Sequence, residues 1–283
     1  MRTKPDYWTR WNEIKIGNEM KIISLLTDFT DRDGYVGIMK GVILGITEDV
    51  HIIDVSHSIP PQDVRLAAYI LGRSTPYFPP GSLHLAVVDP GVGTARRGLI
   101  AQLGAQLFVG PDNGLLTLLY QHTRKEGEPI RMHALENEDY MLKPVSRSFH
   151  GRDVFAPAAA YYFQNVPLDA FGPEVTAPVL LDLPEPRKTR TGWTGEIIHV
   201  DAFGNLAVNI DKNHLVNSAN IRIIIKNHVI ASLKSTFGAG NPGDLVAIID
   251  SFGYLSICVV NGSAADLLKV GVGETIQVDM LSS

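Results

Sequence analysis

The chain lacks several sequence features that identify classes of protein, and each absence excludes some functions. It contains one cysteine, Cys258, so no internal disulfide can form and a cysteine-based metal site is excluded. Its first residues carry charges and aromatic rings where a signal peptide needs an apolar stretch of roughly 7–15 residues. No run approaches the roughly 18 apolar residues of a membrane span. We therefore expect a cytoplasmic protein with no membrane partner.

The charge balance argues against a nucleic-acid partner. The chain has 25 lysines and arginines against 30 acidic residues, a formal net charge of −5, and no long basic cluster that would bind phosphates. Three motifs are also missing, namely GxGxxG after the first predicted strand, GxxxxGK[ST] and GxSxG. These absences argue against Rossmann dehydrogenases, P-loop NTPases and serine hydrolases.

The hydrophobic pattern predicts an α/β domain first. Residues 1–19 are polar and without period, and we interpret them as an N-terminal extension. Over residues 20–182, short apolar runs alternate with helical patterns, which predicts an α/β domain with a largely parallel central sheet. The predicted strands are 22–26, 51–55, 83–88 and a hairpin of 99–103 with 106–109; the predicted helices are 34–47 and 63–74, with two more beginning at Leu115 and Asp153.

A second domain follows a proline-rich stretch. Prolines concentrate between Pro173 and Thr191, and we place a linker at residues 183–192. Beyond it, apolar residues mostly alternate with period two in short runs separated by Gly, Asn and Asp. Residues 193–283 are therefore predicted to form a smaller all-β barrel. The predicted strands are 193–200, 206–210, 221–225, 228–233, 245–249, 254–259 and 275–278.

The segment Val88–Arg97 is the strongest candidate for chemistry. A buried strand ends there on the carboxylate of Asp89, and a Pro-Gly-x-Gly turn brings Arg96 and Arg97 back towards it. Ligands of open α/β sheets bind beyond the carboxyl ends of the strands. Opposite charges at this position indicate a functional site.

The loop Thr27–Gly34 carries three acids before the first helix. Its spacing lacks the bidentate glutamate at the twelfth position of a calcium loop, so we predict no metal site. Asp31 or Asp33 could cap the helix. Asp28 ends the first strand, where a carboxylate is well placed to accept hydrogen bonds from a ribose diol.

Two more predicted helix starts and one strand end carry polar side chains. Asn113 lies in an Asp-Asn-Gly turn that also suits a helix N-cap. His150 supplies a side chain that titrates near neutral pH. His57, which follows the second strand, is interpreted as a packing or turn residue.

The second domain offers two similar turns. Asp201-Ala202-Phe203-Gly204-Asn205 and Asp250-Ser251-Phe252-Gly253-Tyr254 each interrupt a pair of strands. Each places an aromatic ring beside amide or hydroxyl groups, a pairing that suits a planar base. Hairpin turns rich in Gly and Asn explain them equally well.

Together these segments resemble the S-adenosyl-L-methionine (SAM) hydrolases, also called hydroxide adenosyltransferases, which share their fold with SAM-dependent fluorinases and chlorinases. The resemblance covers about residues 21–283. It implies a homotrimer with active sites at subunit interfaces, and no cofactor, because SAM is the substrate. The motifs are Thr27-Asp28-Phe29 with Asp33-Gly34, Asp54–Ile59, Val88–Thr94, Pro111–Leu116, Phe149–Pro157, Phe203–Asn205 and Ser251–Leu255.

The resemblance also implies a role for each site residue. The polar set of the hydrolase branch falls on Asp89, Arg96 and His150, where water would be activated to attack the ribose C5′. Arg97 is interpreted as structural. The substrate-binding residues implied are Asp28, Asp33 and Asn113 in the first domain, and Asp201, Phe203, Asn205, Ser251 and Tyr254 in the second. Sequence leaves open whether Asp89 or His150 accepts the proton.

Three alternatives stay open. A SAM-dependent halogenase is disfavoured, because the carboxylate of Asp89 would repel a halide and only fourteen residues separate Arg97 from Asp112, where halogenases carry a long insertion. A non-catalytic adenosine or SAM sensor would have no use for the polar set. A protein binding some other nucleotide is the third.

Overall fold

The structure, a computed structural model, describes residues 20–215 and 220–281. The chain divides into two compact units, with the boundary between Leu181 and Asp182. The predicted extension, residues 1–19, lies outside the described residues.

Unit 1 is an α/β unit around a six-stranded sheet. Four helices cover the sheet, with α1 packing against α4 on one face and α2 against α3 on the other. The strands are β1 (Ile22–Thr27), β2 (His51–Ser56), β3 (Leu83–Val87), β4 (Gly98–Leu103), β5 (Gln106–Pro111) and β6 (Ile130–Ala134), in the order β2-β1-β3-β5-β4-β6. The helices are α1 (Tyr35–Ile46), α2 (Val64–Ser74), α3 (Thr117–Glu126) and α4 (Ala156–Phe163).

The sheet is mixed, so the prediction of a largely parallel sheet is confirmed only in part. The pairs β1–β2, β1–β3 and β3–β5 are parallel, whereas β4 runs antiparallel to both β5 and β6. The predicted hairpin explains the difference. Only Gly104 and Ala105 separate β4 from β5, and a parallel connection would need a crossover of a dozen or more residues.

The helix starts differ from prediction where turns precede them. Asp63 caps α2 by accepting a hydrogen bond from the Leu66 amide at 2.9 Å. The N-cap of α1 is Gly34, with no side-chain cap, so neither Asp31 nor Asp33 has the predicted capping role. The predicted helix at Asp153 begins instead as one turn of π-helix, Gly151–Phe155, before α4. Among the described residues, no helix is long and apolar enough to cross a membrane.

Unit 2 is an antiparallel, nearly closed, barrel-like sheet. A bridge between Leu233 and Ala247 of β12 brings the region after β11 close to the opposite edge of the sheet. The short helix α5 (Ala264–Leu268) was not predicted; its N-cap Ser263 accepts from the Asp266 amide at 3.1 Å. The strands are β7 (Arg187–Lys188), β8 (Gly192–Val200), β9 (Leu206–Asp211), β10 (Asn220–Ile225), β11 (His228–Ile230), β12 (Leu245–Ile249), β13 (Tyr254–Val259) and β14 (Thr275–Leu281), in the order β11-β10-β14-β8-β9-β13-β12 with β7 beside β8.

A buried histidine lies between β1 and β5 in unit 1. Nδ1 of His84 lies 2.7 Å from the Ser24 hydroxyl, and Nε2 lies 3.2 Å from the Gln106 side-chain oxygen. Burial lowers the pKa of His84 from 6.5 to about 4, because desolvation disfavours the imidazolium. The Gln106 hydrogen bond opposes this only in part. The core of unit 1 therefore holds a neutral imidazole.

This histidine makes the stability of the protein sensitive to acid. Since the folded-state pKa lies below the unfolded value, the unfolded chain binds the proton first as the pH falls from 6.5 to about 4. We expect this group to reduce the free energy of unfolding by up to roughly 3 kcal/mol over that window and to change nothing above it. Denaturant unfolding of wild type and His84→Gln at about pH 7 and about pH 4.5 measures the difference. Equal losses in both proteins would contradict the assignment.

Candidate active site

The turn after β3 brings an arginine back to the strand end. Asp89 lies two residues beyond β3, and hydrogen bonds from Val92 N to Asp89 O and from Thr94 N to Gly91 O shape the turn. Gly93 has φ +77°, and an added Cβ would collide with the backbone oxygen of Arg147. Only glycine satisfies both the conformation and this close approach. The turn is thereby packed against the segment that leads to His150.

Asp89 and Arg96 form a bidentate ion pair. Arg96 Nε donates to Asp89 Oδ1 at 3.1 Å, and its Nη2 donates to Oδ2 at 2.5 Å. The two side chains are only 5% and 9% exposed. Removing either partner would leave a buried charge uncompensated, so the pair constrains the turn strongly.

His150 meets the same guanidinium from another part of the chain. Its Nδ1 lies 3.0 Å from Arg96 Nη2, although the two residues are 54 positions apart. The histidine is the N-cap of the π-helical turn, followed by Gly151, where an added Cβ would lie 3.1 Å from the Met39 sulfur. The Phe155 ring lies beneath the Arg96 guanidinium, 5.2 Å from ring centre to Cζ. Two loops are therefore joined through one arginine.

Hydrogen-bond chemistry defines the protonation of this cluster. A guanidinium can only donate, so His150 Nδ1 accepts and the proton of the neutral ring is on Nε2. Burial and the Arg96 charge lower the pKa of His150, against the opposing charges of Asp89 and Asp153. Burial raises the pKa of Asp89, which Arg96 and His150 counteract. The bidentate pairing is that of a carboxylate.

A cavity of about 710 Å³ in unit 1 opens beside this cluster. Of the predicted site residues, Asp28, Asp33, Asp89 and His150 line it. Arg96 is not a lining residue but contacts both Asp89 and His150. The other lining residues are Phe29, Thr30, Arg32, Tyr35, Pro61, Gln62, Val87, Pro90, Val92, Ser148, Phe149 and Gly151. Within the described ranges, no cluster of three His, Cys, Asp or Glu side chains has the arrangement of a metal site.

Several lining residues were not predicted, and they form an apolar wall. The rings of Phe29, Tyr35 and Phe149 meet edge to face, with centroids 5.2–5.9 Å apart. Phe29 and Phe149 belong to motifs of the family resemblance, and Tyr35 lies two residues after Asp33, but none of the three was predicted to line the site. Their convergence requires the loops after β1 and before α4 to meet.

Asn113 and Arg97 support the site from outside the cavity lining. The Asn113 amide donates to the backbone oxygen of Val88 at 2.8 Å, which holds the residue preceding Asp89. Arg97 forms an ion pair with the buried Asp112 at 2.6 Å, as expected for a structural residue. A substrate contact of Asn113 stays a prediction.

In unit 2 the two predicted turns have the same backbone geometry. Asp201 Oδ1 accepts from the amides of Phe203 and Asn205, and Asp250 Oδ1 accepts from those of Phe252 and Tyr254, all at 2.8–2.9 Å. The glycine before the last residue has a positive φ in both turns. The carboxylates therefore shape their own turns.

The side chains of these turns differ in how exposed they are to a ligand. Phe203 is 78% exposed, whereas the Asn205 amide donates to Asp201 Oδ2 at 2.8 Å. Ser251 is exposed and Tyr254 is half-buried. Among the unit 2 residues predicted to bind substrate, Phe203 presents the largest open apolar surface.

The two turns lie at opposite ends of one pair of strands in unit 2. The turn 201–205 precedes β9 and the turn 250–254 leads into β13, and these strands pair antiparallel with Leu206 opposite Ile257 and Asp211 opposite Tyr254. The Lys212 amide donates to the Gly253 oxygen at 2.8 Å, which holds the second turn at the end of β9. Between them, burial raises the pKa of the Cys258 thiol of β13 to about 11.

Comparison with known proteins assigns both units to one family. Residues 23–172 match the model of the SAM hydroxide adenosyltransferase N-terminal domain, and residues 195–277 match that of the C-terminal domain. The two matches cover most of the chain. The chain belongs to the SAM hydroxide adenosyltransferase family.

Individual relatives agree with this membership. An (R)-S-adenosyl-L-methionine hydrolase of Salinispora tropica is 40% identical over 90% of this chain and 97% of its own. The crystal structure of an uncharacterized conserved protein from Thermotoga maritima superposes with a TM-score of 0.83 at 33% identity, over 90% of this chain and 99% of that one. A fluorinase of Actinoplanes sp. is more distant, at 26% identity over 92% and 98% of the two chains.

The state of His150 can be measured directly. At about pH 7 we expect a neutral ring with its proton on Nε2, because Arg96 donates to Nδ1 and the pKa lies below 6.5. Long-range ¹H–¹⁵N correlation spectra distinguish the two tautomers and follow the titration. Replacing Arg96 with methionine removes a neighbouring positive charge, so the His150 pKa is expected to rise.

His84 is the internal control in the same spectra, since it lies in the core and is expected to stay neutral at neutral pH in both proteins. A proton on Nδ1 of His150 in the wild type, or a pKa above the ordinary histidine value, would contradict this assignment.

Proposed function

We propose that the protein hydrolyses SAM to adenosine and L-methionine by attack of water at the ribose C5′. One observation carries the proposal: in a member of this family, Asp89, Arg96 and His150 meet at the carboxyl end of β3 beside the cavity. Asp89, Arg96 and His150 are the proposed catalytic residues, and SAM is the substrate of a reaction that needs no cofactor.

The proposed reaction forms one bond and breaks one bond, and the leaving group does not need an acid. The water oxygen forms a bond to C5′ as the C5′–S bond breaks, and its electron pair returns to sulfur. The sulfonium becomes the neutral thioether of methionine, so departure needs no proton. The water must lose one proton, and activating this weak nucleophile is the task left to the protein.

The hydrogen-bond geometry favours Asp89 as the proton acceptor. Arg96 donates to each Asp89 oxygen and a backbone hydrogen bond from Gly91 uses a third acceptor position, so one of the four lone pairs of the carboxylate remains for the proton, and burial raises its pKa. His150 Nδ1 is occupied by Arg96, so its Nε2–H can donate to the attacking oxygen and orient it. The Arg96 charge stabilises the developing hydroxide.

The name of the Salinispora relative suggests which stereoisomer is used. In (R)-S-adenosyl-L-methionine the amino-acid centre is already specified by L, so R describes the sulfonium sulfur. We propose the R epimer at sulfur as the preferred substrate. To distinguish the two epimers, the protein must hold each of the three groups on sulfur. Inversion at sulfur exchanges the positions of two of these groups while C5′ stays in place.

Substrate binding is assigned to both units. Asp28 is proposed for the ribose hydroxyls, with Asp33 and Asn113 as further binding residues of unit 1. In unit 2 we propose stacking on Phe203, polar contacts from Asp201 and Asn205, and contacts from Ser251 and Tyr254. The exposed ring of Phe203 and the half-buried Asp28 carboxylate support these roles.

A labelling experiment tests the reaction. In H₂¹⁸O, wild-type protein with SAM is expected to release methionine and adenosine with ¹⁸O at the 5′ oxygen, measured by mass spectrometry. The (R) epimer is expected to react faster than the (S) epimer. With chloride or fluoride present we expect no 5′-halogenated nucleoside, because a carboxylate faces the nucleophile position.

Variants separate catalysis from binding. Asp89→Asn and His150→Ala are expected to lower kcat by about 100-fold or more while changing adenosine affinity little. Thr123→Val, at a buried helical hydroxyl bonded to Leu119 O, serves as the control and should retain activity. No adenosine above the uncatalysed background would rule out the hydrolase proposal; equal loss of rate and binding would mean that Asp89 and His150 are binding residues.

We also propose the homotrimer implied by the family resemblance, with substrate sites at subunit interfaces. Apolar side chains at Ile38 and Leu44 of α1 and at Ile53 of the edge strand β2 are exposed in the single chain. Exposed apolar surface of this kind is typical of an interface. These features support association.

Light scattering after size exclusion tests the assembly. A trimer of 30.9 kDa chains has a mass of about 93 kDa, and we expect that value at micromolar concentration. Replacing Ile53 with aspartate is expected to lower the mass, because a charge would be desolvated at the interface. The matched control is Val229→Asp, a similarly exposed strand residue of unit 2. A monomeric wild type would contradict the proposal.

A further inference from the structure

One motif of the family resemblance, Asp54–Ile59, has no part in the proposed reaction, yet it connects α1 to the cavity wall. Lys40 Nζ donates to Asp54 Oδ2 at 2.6 Å, and Asp54 Oδ1 lies 3.0 Å from His57 Nε2. On the other side of the ring, His57 Nδ1 lies 2.9 Å from the Thr27 hydroxyl. Four side chains, from α1, β2, the residue after β2 and β1, thus form one series of polar contacts.

This series resembles a catalytic triad in composition but cannot act as one. An acid, an imidazole and a hydroxyl follow in the order found in serine hydrolases. Thr27, however, is fully buried and His57 is 6% exposed, and neither lines the cavity. The Thr27 oxygen instead accepts a hydrogen bond from the Phe29 amide at 3.2 Å. The series therefore ends at a backbone group of the cavity wall.

The Thr27 hydroxyl has a partner on each side. It can donate to His57 Nδ1, 2.9 Å away, while its oxygen accepts from the Phe29 amide. On the other side of the ring, His57 Nε2 is within ion-pair distance of Asp54 but makes no hydrogen bond of good geometry. A buried hydroxyl that both donates and accepts restricts the backbone on either side of it.

The segment that this network holds is the loop 28–30. Besides the Phe29 amide, the Thr30 amide donates to His57 O at 2.8 Å, and the Gln62 amide donates to Asp28 Oδ2 at 2.9 Å. Thr30 has φ +56°, a conformation that a β-branched residue adopts only when its surroundings hold it there. Asp28 follows Thr27 directly, so its carboxylate depends on the position of the Thr27 backbone.

We propose that Thr27 and His57 are positioning residues that hold the Asp28 carboxylate at the ribose hydroxyls. The inference rests on the proposed function and on the ribose contact of Asp28. Because Asp89 and His150 lie on other loops, loss of the network weakens binding of the ribose rather than the bond-making step. Its signature is a higher KM with kcat retained.

The test is nucleoside binding by Thr27→Val, which removes the hydroxyl and keeps the shape. Calorimetry is expected to show an adenosine Kd raised about 10-fold, equivalent to ~1.4 kcal/mol. The Kd of 2′,3′-dideoxyadenosine, which lacks both ribose hydroxyls, is expected to change less than about twofold. Thr27→Ser restores the hydroxyl and should restore adenosine affinity, and the KM for SAM should follow the adenosine Kd.

The same strand provides the matched control. Ser24→Ala breaks a hydroxyl–imidazole contact of the same kind, 2.7 Å from Ser24 Oγ to His84 Nδ1, but in the core of unit 1. The Ser24→Ala protein is expected to bind adenosine with the same affinity as the wild type. If circular dichroism shows that Thr27→Val does not fold, His57→Gln replaces it, because this substitution breaks the same series at its centre. We then expect the same change in the two nucleoside Kd values.

Each other outcome overturns the inference. Equal weakening of both nucleosides by Thr27→Val would mean general damage to the cavity, and no weakening of either would mean that the network does not position Asp28. Failure of the proposed function gives a different result, because wild-type protein would then neither bind adenosine nor hydrolyse SAM.

Discussion

The site depends on one guanidinium, that of Arg96. It pairs both oxygens of Asp89 and donates to His150, so it sets the distance between two loops that are far apart in sequence. Burial has the largest effect on the two partners, raising the pKa of Asp89 and lowering that of His150; the Arg96 charge opposes the first shift and adds to the second. With little water around the pair, the Arg96 charge is not strongly screened. The same contact therefore fixes the positions of both groups and contributes to their protonation.

The rest of unit 1 keeps that contact in place by restricting the backbone around it. Gly93 lets the Asp89 turn approach Arg147, and Gly151 lets the His150 segment pack on Met39. The Asn113 amide holds Val88, and Arg97 neutralises the buried Asp112. A larger side chain at either glycine would separate the loops, so the chemistry requires residues that themselves have no chemical role.

The polar residues of the cavity divide into two groups with different supports. The proposed reacting groups are held by an ion pair at the end of β3, whereas the Asp28 loop is held at the end of β1 by hydrogen bonds that its amides donate to Thr27 and His57. In unit 2, Asp201 and Asp250 shape their own turns and leave the ring of Phe203 exposed. A carboxylate in a loop can therefore shape the backbone of that loop as well as bind a ligand.

Local pattern was enough for much of this protein. Most strands and helices follow from apolar periodicity, although β6, β7 and α5 were not predicted, and the positions of Asp89, Arg96 and His150 follow from motifs at strand and helix ends. Long-range packing was needed for the rest: the antiparallel β4, the occupied amide of Asn113, the His150 proton on Nε2, and the link from His57 to Thr27. Each depends on groups that are distant in sequence and become neighbours only when the sheet assembles, and no local pattern records which of a polar atom's possible partners it will meet.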